Sequence, residues 1–115
     1  MLENYKIKEF KLSLINTKLK LEKLSIATQP SREPVQLDQT SVGRLSRVDS
    51  MQRQAMNIET ERRRVAKINL IKSALTRIKD KKYGLCLSCG ESIEKARLQH
   101  NPEIPNCLQC ALEKA

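Results

Sequence analysis

Tryptophan is absent from this 115-residue chain, which holds one phenylalanine and two tyrosines. So few large rings leave little with which to fill a broad globular interior. Three glycines and four prolines are too few for the many tight turns of an all-β design. No apolar run approaches the ~20 residues needed to cross a bilayer, so no membrane partner is expected. A Ser–His–Asp set, paired catalytic carboxylates and a glycine-rich phosphate loop are all missing, and an enzyme is not expected. The opening residues, Met1-Leu-Glu-Asn-Tyr-Lys, carry no apolar signal segment, which points to the reducing cytoplasm.

Against these absences stand four cysteines, spaced Cys86-x-x-Cys89, then seventeen residues, then Cys107-x-x-Cys110. Each close pair can place two thiolates on one tight turn. Two such turns can close a tetrahedron of sulfur around one Zn²⁺. With all four ligand positions filled, no site stays open for water or substrate, so the metal is expected to be structural. Paired disulfides would need an oxidising compartment, and a redox pair would need a βαβ context that the sequence does not show. His100 lies between the two pairs but is not needed as a ligand.

The net charge of +9 is uneven. Residues 1–24 carry six lysines against three glutamates, residues 25–52 are neutral, and residues 53–82 hold ten bases against three acids. Residues 83–115 sum to −1. The positive charge therefore lies on the arms and not on the cysteine end. Such arms either attract polyanions in a salt-dependent way or form solvated helix faces.

Leu, Ile, Lys, Arg, Glu and Gln dominate, as in long helices. Ile7, Phe10, Leu14, Leu21 and Leu24, with a neighbouring row of Leu12, Ile15, Leu19 and Ile26, predict a helix over about 3–25. Pro30 and Pro34 end it and set a turn. Asp38, Thr40 or Ser41 can then cap a second helix. That helix is predicted over about 39–82, with an apolar row of Val42, Leu45, Val48, Met51, Ala55 and Ile58, interrupted by Arg62, and resuming through Val65, Ile68, Ile71, Leu75 and Ile78. Folded back antiparallel, the shorter helix is expected to cover the half of the longer one nearest the turn. The row from Ile68 to Ile78 is then left for the cysteine module, the C-terminal segment or a second chain. Tyr83-Gly84 is expected to end the long helix, and Leu108 to Ala115 to form a short final one. Ile93 and Leu98, with Leu85 and Leu108 if they face inward, are expected to form a small core beneath the cysteines. The fold class is thus mainly α, an antiparallel helical hairpin (a coiled coil) over 1–82 with its tip near 27–41, joined to a small four-cysteine zinc-finger module over 83–115.

Between Tyr83 and Cys110 the chain resembles the DksA/TraR family of zinc-finger transcription regulators. The residues that carry the likeness are Gly84, Cys86, Ser88, Cys89, Gly90, Ile93, Arg97, Leu98, Pro102, Cys107 and Cys110. The resemblance implies a transcription regulator that binds RNA polymerase, its coiled coil entering the secondary channel, and that alters initiation. It also implies a link to the stringent response through guanosine tetraphosphate. Members of the family best known for activity carry Asp-x-x-Asp-x-Ala at the hairpin tip. Here Val35-Gln-Leu-Asp38-Gln-Thr40 stands nearest, with Asp38 on the second aspartate and Thr40 in place of alanine, so both are candidate tip effector residues. Asp38 is equally suited to cap the second helix. Arg97 is a candidate for hydrogen bonds to backbone carbonyls or to the metal-bound sulfurs.

Two other functions compete. A basic zinc protein could bind nucleic acid directly through residues 53–82, although the cysteine end is near neutral and offers no aromatic stacking platform. An adaptor could instead assemble through an uncovered Ile68–Ile78 row, although a monomer is expected. Arg62-Arg63-Arg64 tempts as a phosphate clamp, but successive helical residues point about 100° apart, so the three fan out.

Overall fold

The structure is a computed structural model and describes residues 4–32 and 44–114. The molecule is an elongated body of 65 × 30 × 20 Å. Helix α1 runs Asn4–Ala27, a 3₁₀ turn follows at Gln29–Arg32, and α2 runs Arg44–Lys79. Two short helices, α3 at Lys95–His100 and α4 at Leu108–Lys114, belong to the cysteine end. Among the described residues there is no β-strand beyond an isolated antiparallel bridge between Leu85 and Ser92.

Helix α1 ends where Thr28 turns back on it. The Thr28 N–H and hydroxyl both donate to the Leu24 carbonyl, at 2.9 and 2.6 Å. Pro30 follows in the 3₁₀ turn and cannot extend the helical ladder. Arg32 then reaches back: one guanidinium nitrogen donates to the Ser25 carbonyl at 2.8 Å, satisfying an acceptor that the end of the helix leaves free.

The pairing of the two helices differs from the sequence expectation. Phe10 and Leu14 of α1 are buried with Ile71 and Ala74 of α2, and Ile7, Leu21, Leu75 and Ile78 pack around them. Thr28 at the end of α1 meets Arg64, and Arg32 meets Glu61 at 3.2 Å. Helix α1 therefore covers the Ile68–Ile78 row, together with the cysteine end, and not the half of α2 nearest the turn. In that other half Val48, Met51, Met56 and Ile58 are 44%, 60%, 69% and 49% exposed. The physical reason is the length of the connection. Sixteen residues separate Ala27 from Arg44, so α2 begins well past the point where α1 stops. From Arg44 to Glu61 the helix advances about 26 Å at 1.5 Å per residue. Arg62, the break in the apolar row, does lie where the short helix runs out, though α1 arrives from the opposite direction to the one expected.

The apolar stripe of α1 is also narrower than its sequence suggests. Leu12, Leu19, Leu24 and Ile26 are 63%, 49%, 47% and 72% exposed. One partner helix can bury only one row, and the row containing Phe10 and Leu14 takes that place. Phe10 also meets Tyr83, with ring centroids 5.8 Å apart and planes tilted by 52°, which binds the start of α1 to the start of the cysteine module.

Helix α2 stops at Lys79, before the Tyr83-Gly84 terminator expected from sequence. Lys81 adopts φ +61°, its N–H donates to the Ile78 carbonyl at 3.2 Å, and the Lys82 N–H donates to the Arg77 carbonyl at 2.8 Å. These are the paired bonds of a Schellman motif, with lysine in the left-handed position that glycine usually fills. Gly84, at φ +91°, is used instead inside the first cysteine turn.

Candidate metal centre

The cysteine module is assembled from two turns and the helices that follow them. In the first turn the Cys86 N–H donates to the Glu91 carbonyl at 2.8 Å, Gly90 N–H to the Cys86 carbonyl at 3.0 Å, and Ile93 N–H to the Gly84 carbonyl at 2.8 Å. Gly90 closes the turn at φ +77°. The second pair straddles the start of α4, whose first ladder bond runs from Ala111 N–H to the Cys107 carbonyl at 3.0 Å. Leu87 N–H donates to the Pro105 carbonyl at 3.0 Å and ties the two turns together.

The result is a cluster in which the Sγ atoms of Cys86, Cys89, Cys107 and Cys110 all lie within 4.8 Å of one another. Sulfurs at ~2.3 Å from a tetrahedral Zn²⁺ sit ~3.8 Å apart. The Cys89 and Cys107 sulfurs are separated by 3.8 Å. Two of the four, Cys86 and Cys107, are buried, Cys110 is half-buried and Cys89 is exposed. The donor set therefore fits one soft divalent ion, bound without an open position.

The thiols are electrostatically unequal. Burial pushes the Cys86 thiol up, but the N–H groups of Cys107, Cys89 and Ser88 aimed at its sulfur outweigh this and bring it down to about 6. The Cys110 thiol is pushed well up, first by hydrogen bonding with Cys107 and then by Cys86 and Cys89. Backbone N–H groups stabilise the first thiolate, and crowding then opposes the later ones unless a cation joins them.

Around the sulfurs, Arg97 donates from Nε to the Asn106 carbonyl at 3.2 Å, so of its two expected roles it takes the backbone one. Asn106 is a residue the sequence reading missed. Its Oδ1 accepts from the Ser88 hydroxyl at 3.2 Å and lies 3.7 Å from the Cys86 sulfur. Its position directly before Cys107 was the available signal. Beneath the cluster Ile93 and Leu98 are 5% and 0% exposed, whereas Leu85 and Leu108 face outward at 43% and 49%. Tyr83 supplies the missing part of this core. It is 8% exposed, and its hydroxyl donates to the Pro102 carbonyl at 2.8 Å. Burial pushes its phenol up to about 12, despite the nearby Arg77 charge, so the ring stays neutral and the hydroxyl remains a donor.

Of the other sequence candidates, Asp38 and Thr40 lie outside the described residues. His100 closes α3 and takes no part in the sulfur cluster. The three arginines fan out as their spacing requires. Arg62 and Arg63 both bind Glu59, at 2.7 and 3.2 Å, while Arg64 turns inward to Glu61 and Thr28. Arg32, Glu61 and Arg64 thus form a partly buried clasp that holds the end of α1 against α2. Among the described residues no helix is long and apolar enough to cross a membrane.

A helical hairpin carried on a four-sulfur metal module defines the class of architecture. No protein-family profile matches the sequence, and neither does any curated protein sequence. Among solved structures, transcription factor DksA2 from Pseudomonas aeruginosa shares the fold, with a TM-score of 0.75 over 97% of this chain and 84% of that one, at 16% sequence identity. The chain therefore has a DksA-like fold.

Proposed function

We propose that this protein is a non-enzymatic transcription regulator that binds RNA polymerase, its hairpin entering the secondary channel and modulating initiation. The observation that carries this reading is the fold shared with a transcription factor along nearly the whole chain. Physically, the reading is supported by a narrow body, 65 Å long and 20 to 30 Å across, of a kind that a channel can admit end-on. Cys86, Cys89, Cys107 and Cys110 would hold one structural Zn²⁺ at the base, stabilising the fold without reacting. The protein would act in the cytoplasm as a monomer. Guanosine tetraphosphate is a candidate co-effector, and Asp38 and Thr40 are the candidate tip residues.

Direct nucleic-acid binding is the weaker alternative. Arg62, Arg63 and Arg64, three of the bases in the most positive stretch, are bound to Glu59 and Glu61 and so are less available to phosphates. Co-elution of the zinc-loaded protein with polymerase core enzyme at moderate salt tests the main reading. In vitro transcription with wild type and Asp38→Asn then separates binding from output. Absence of co-elution, combined with steeply salt-dependent DNA or RNA affinity, would favour the alternative.

A further inference from the structure

The joint between hairpin and cysteine module holds a cleft of about 180 Å³, walled by α1, α2, the end of α3 and the segment that follows it. Leu14 and Ile71 form its apolar floor, and Ser13 and Thr17 present hydroxyl-bearing side chains along α1. The fixed charges of the cleft are Lys67 and Glu103, and Gln99, His100 and Asn101 also line it. Lys67 Nζ and Glu103 Oε1 are 3.9 Å apart, with the Glu103 side chain only 12% exposed and that of Lys67 46% exposed. A close charge-assisted hydrogen bond measures about 2.7–2.9 Å. This pair is thus about 1 Å too long to satisfy either partner, and both line the cleft. An ammonium has three donors and a carboxylate several lone pairs, so each keeps capacity for a second partner.

We propose that the cleft binds a small zwitterion of the α-amino-acid class. A lone anion drawn to Lys67 would face Glu103, and a lone cation drawn to Glu103 would face Lys67. A molecule with adjacent carboxylate and ammonium groups meets both, its carboxylate beside Lys67 and its ammonium beside Glu103. The four charges then alternate in sign around a ring. Ser13 and Thr17 hydroxyls complete the polar contacts above the buried Leu14 and Ile71. The volume is below the usual range of about 300–1,000 Å³ for drug-sized ligands, which restricts the occupant to a small metabolite. Occupancy would add a polar link to elements already joined by the Phe10–Tyr83 contact and the shared core, stiffening the hairpin against the metal module. Binding at this cleft does not depend on polymerase being the partner.

The test is an amide ¹H–¹⁵N titration of the zinc-loaded full chain with glycine and L-serine, against acetate and methylammonium, which each carry one of the two charges. The expected result is saturable shifts confined to residues 13–17, 67–71 and 99–103, with the zwitterions binding at least about tenfold more tightly than either single ion. Lys67→Met and Glu103→Gln should each weaken glycine binding by about tenfold or more, with zinc content unchanged. Should either variant lose zinc, Thr17→Val serves in its place and should also weaken binding. Shifts that do not saturate, equal effects of acetate or methylammonium, or full affinity in the variants would overturn the proposal.

Discussion

Lys81 occupies the position where the long helix hands the chain to the metal module, and it does so at φ +61°. An L-residue in the left-handed region costs roughly 1–2 kcal/mol relative to its relaxed conformation, whereas glycine adopts it freely. The two Schellman bonds, at 3.2 and 2.8 Å, use only backbone atoms and survive substitution. Lys81→Gly therefore relieves the strain, offset in part by the greater freedom of glycine in the unfolded chain and by loss of a favourable cation at the helix C-terminus, worth ~0.3 kcal/mol or more. The expected net gain is about 0.5–1 kcal/mol, or a rise of roughly 2–5 °C in Tm for a chain of this size. Lys81→Ala is the control, because it removes the same charge and stem but keeps the Cβ that causes the strain. Thermal melts of the zinc-loaded proteins should rank glycine above alanine. If alanine is as stable as glycine, the left-handed conformation stores no energy and the account of this helix terminus is wrong.

The metal module was the most legible part of the sequence because its information is local. Two Cys-x-x-Cys turns, with Gly84 and Gly90 beside the first, specify their own backbone, and Ile93 and Leu98 fall beneath them as their spacing implies. The two long helices were legible for the same reason, since periodicity survives without knowledge of the partner. Their relative placement was not. Periodicity says which face of α2 is apolar but not which length of it α1 covers, and Arg32–Glu61 and Thr28–Arg64 decide that through contacts 29 and 36 residues apart in the chain. Tyr83 was read as a punctuation mark before Gly84, although its pairing with Phe10 joins the two parts of the molecule. Asn106 escaped notice because an amide beside a cysteine is common and its geometry appears only when both turns are in place.

Three further outcomes are expected. Arg77 is 8% exposed, with Nη1 on the Ser73 hydroxyl at 2.8 Å and Nη2 without a partner. Arg77→Met keeps the packing stem and removes the orphaned nitrogen, so urea unfolding should show a change between zero and about 1 kcal/mol in the stabilising direction, and a loss above ~1 kcal/mol would show that the guanidinium is satisfied in solution. Chelation of the zinc-loaded protein should abolish the protection of the Ile93 and Leu98 amides from hydrogen exchange before those of Leu14 and Ile71; uniform protection after complete metal removal would mean that the module folds without it. The clasp should be acid-sensitive. Burial alone would raise the Glu61 carboxyl, but the Arg64 guanidinium and the Arg32 charge hold it below its ordinary 4.5. Because the folded state favours the ionised form, the stability that Glu61 contributes is complete above about pH 4.5 and is lost as pH falls through its lowered value. Glu61→Gln should therefore cost roughly 1 kcal/mol near neutrality, where the carboxylate joins two guanidinium groups, and progressively less in acid. Urea unfolding at a series of pH values measures the difference between wild type and variant. A difference that stays constant down to strongly acid pH would mean that the carboxylate is not ion-paired in solution, and that the end of α1 is held to α2 by Thr28 and the apolar row alone.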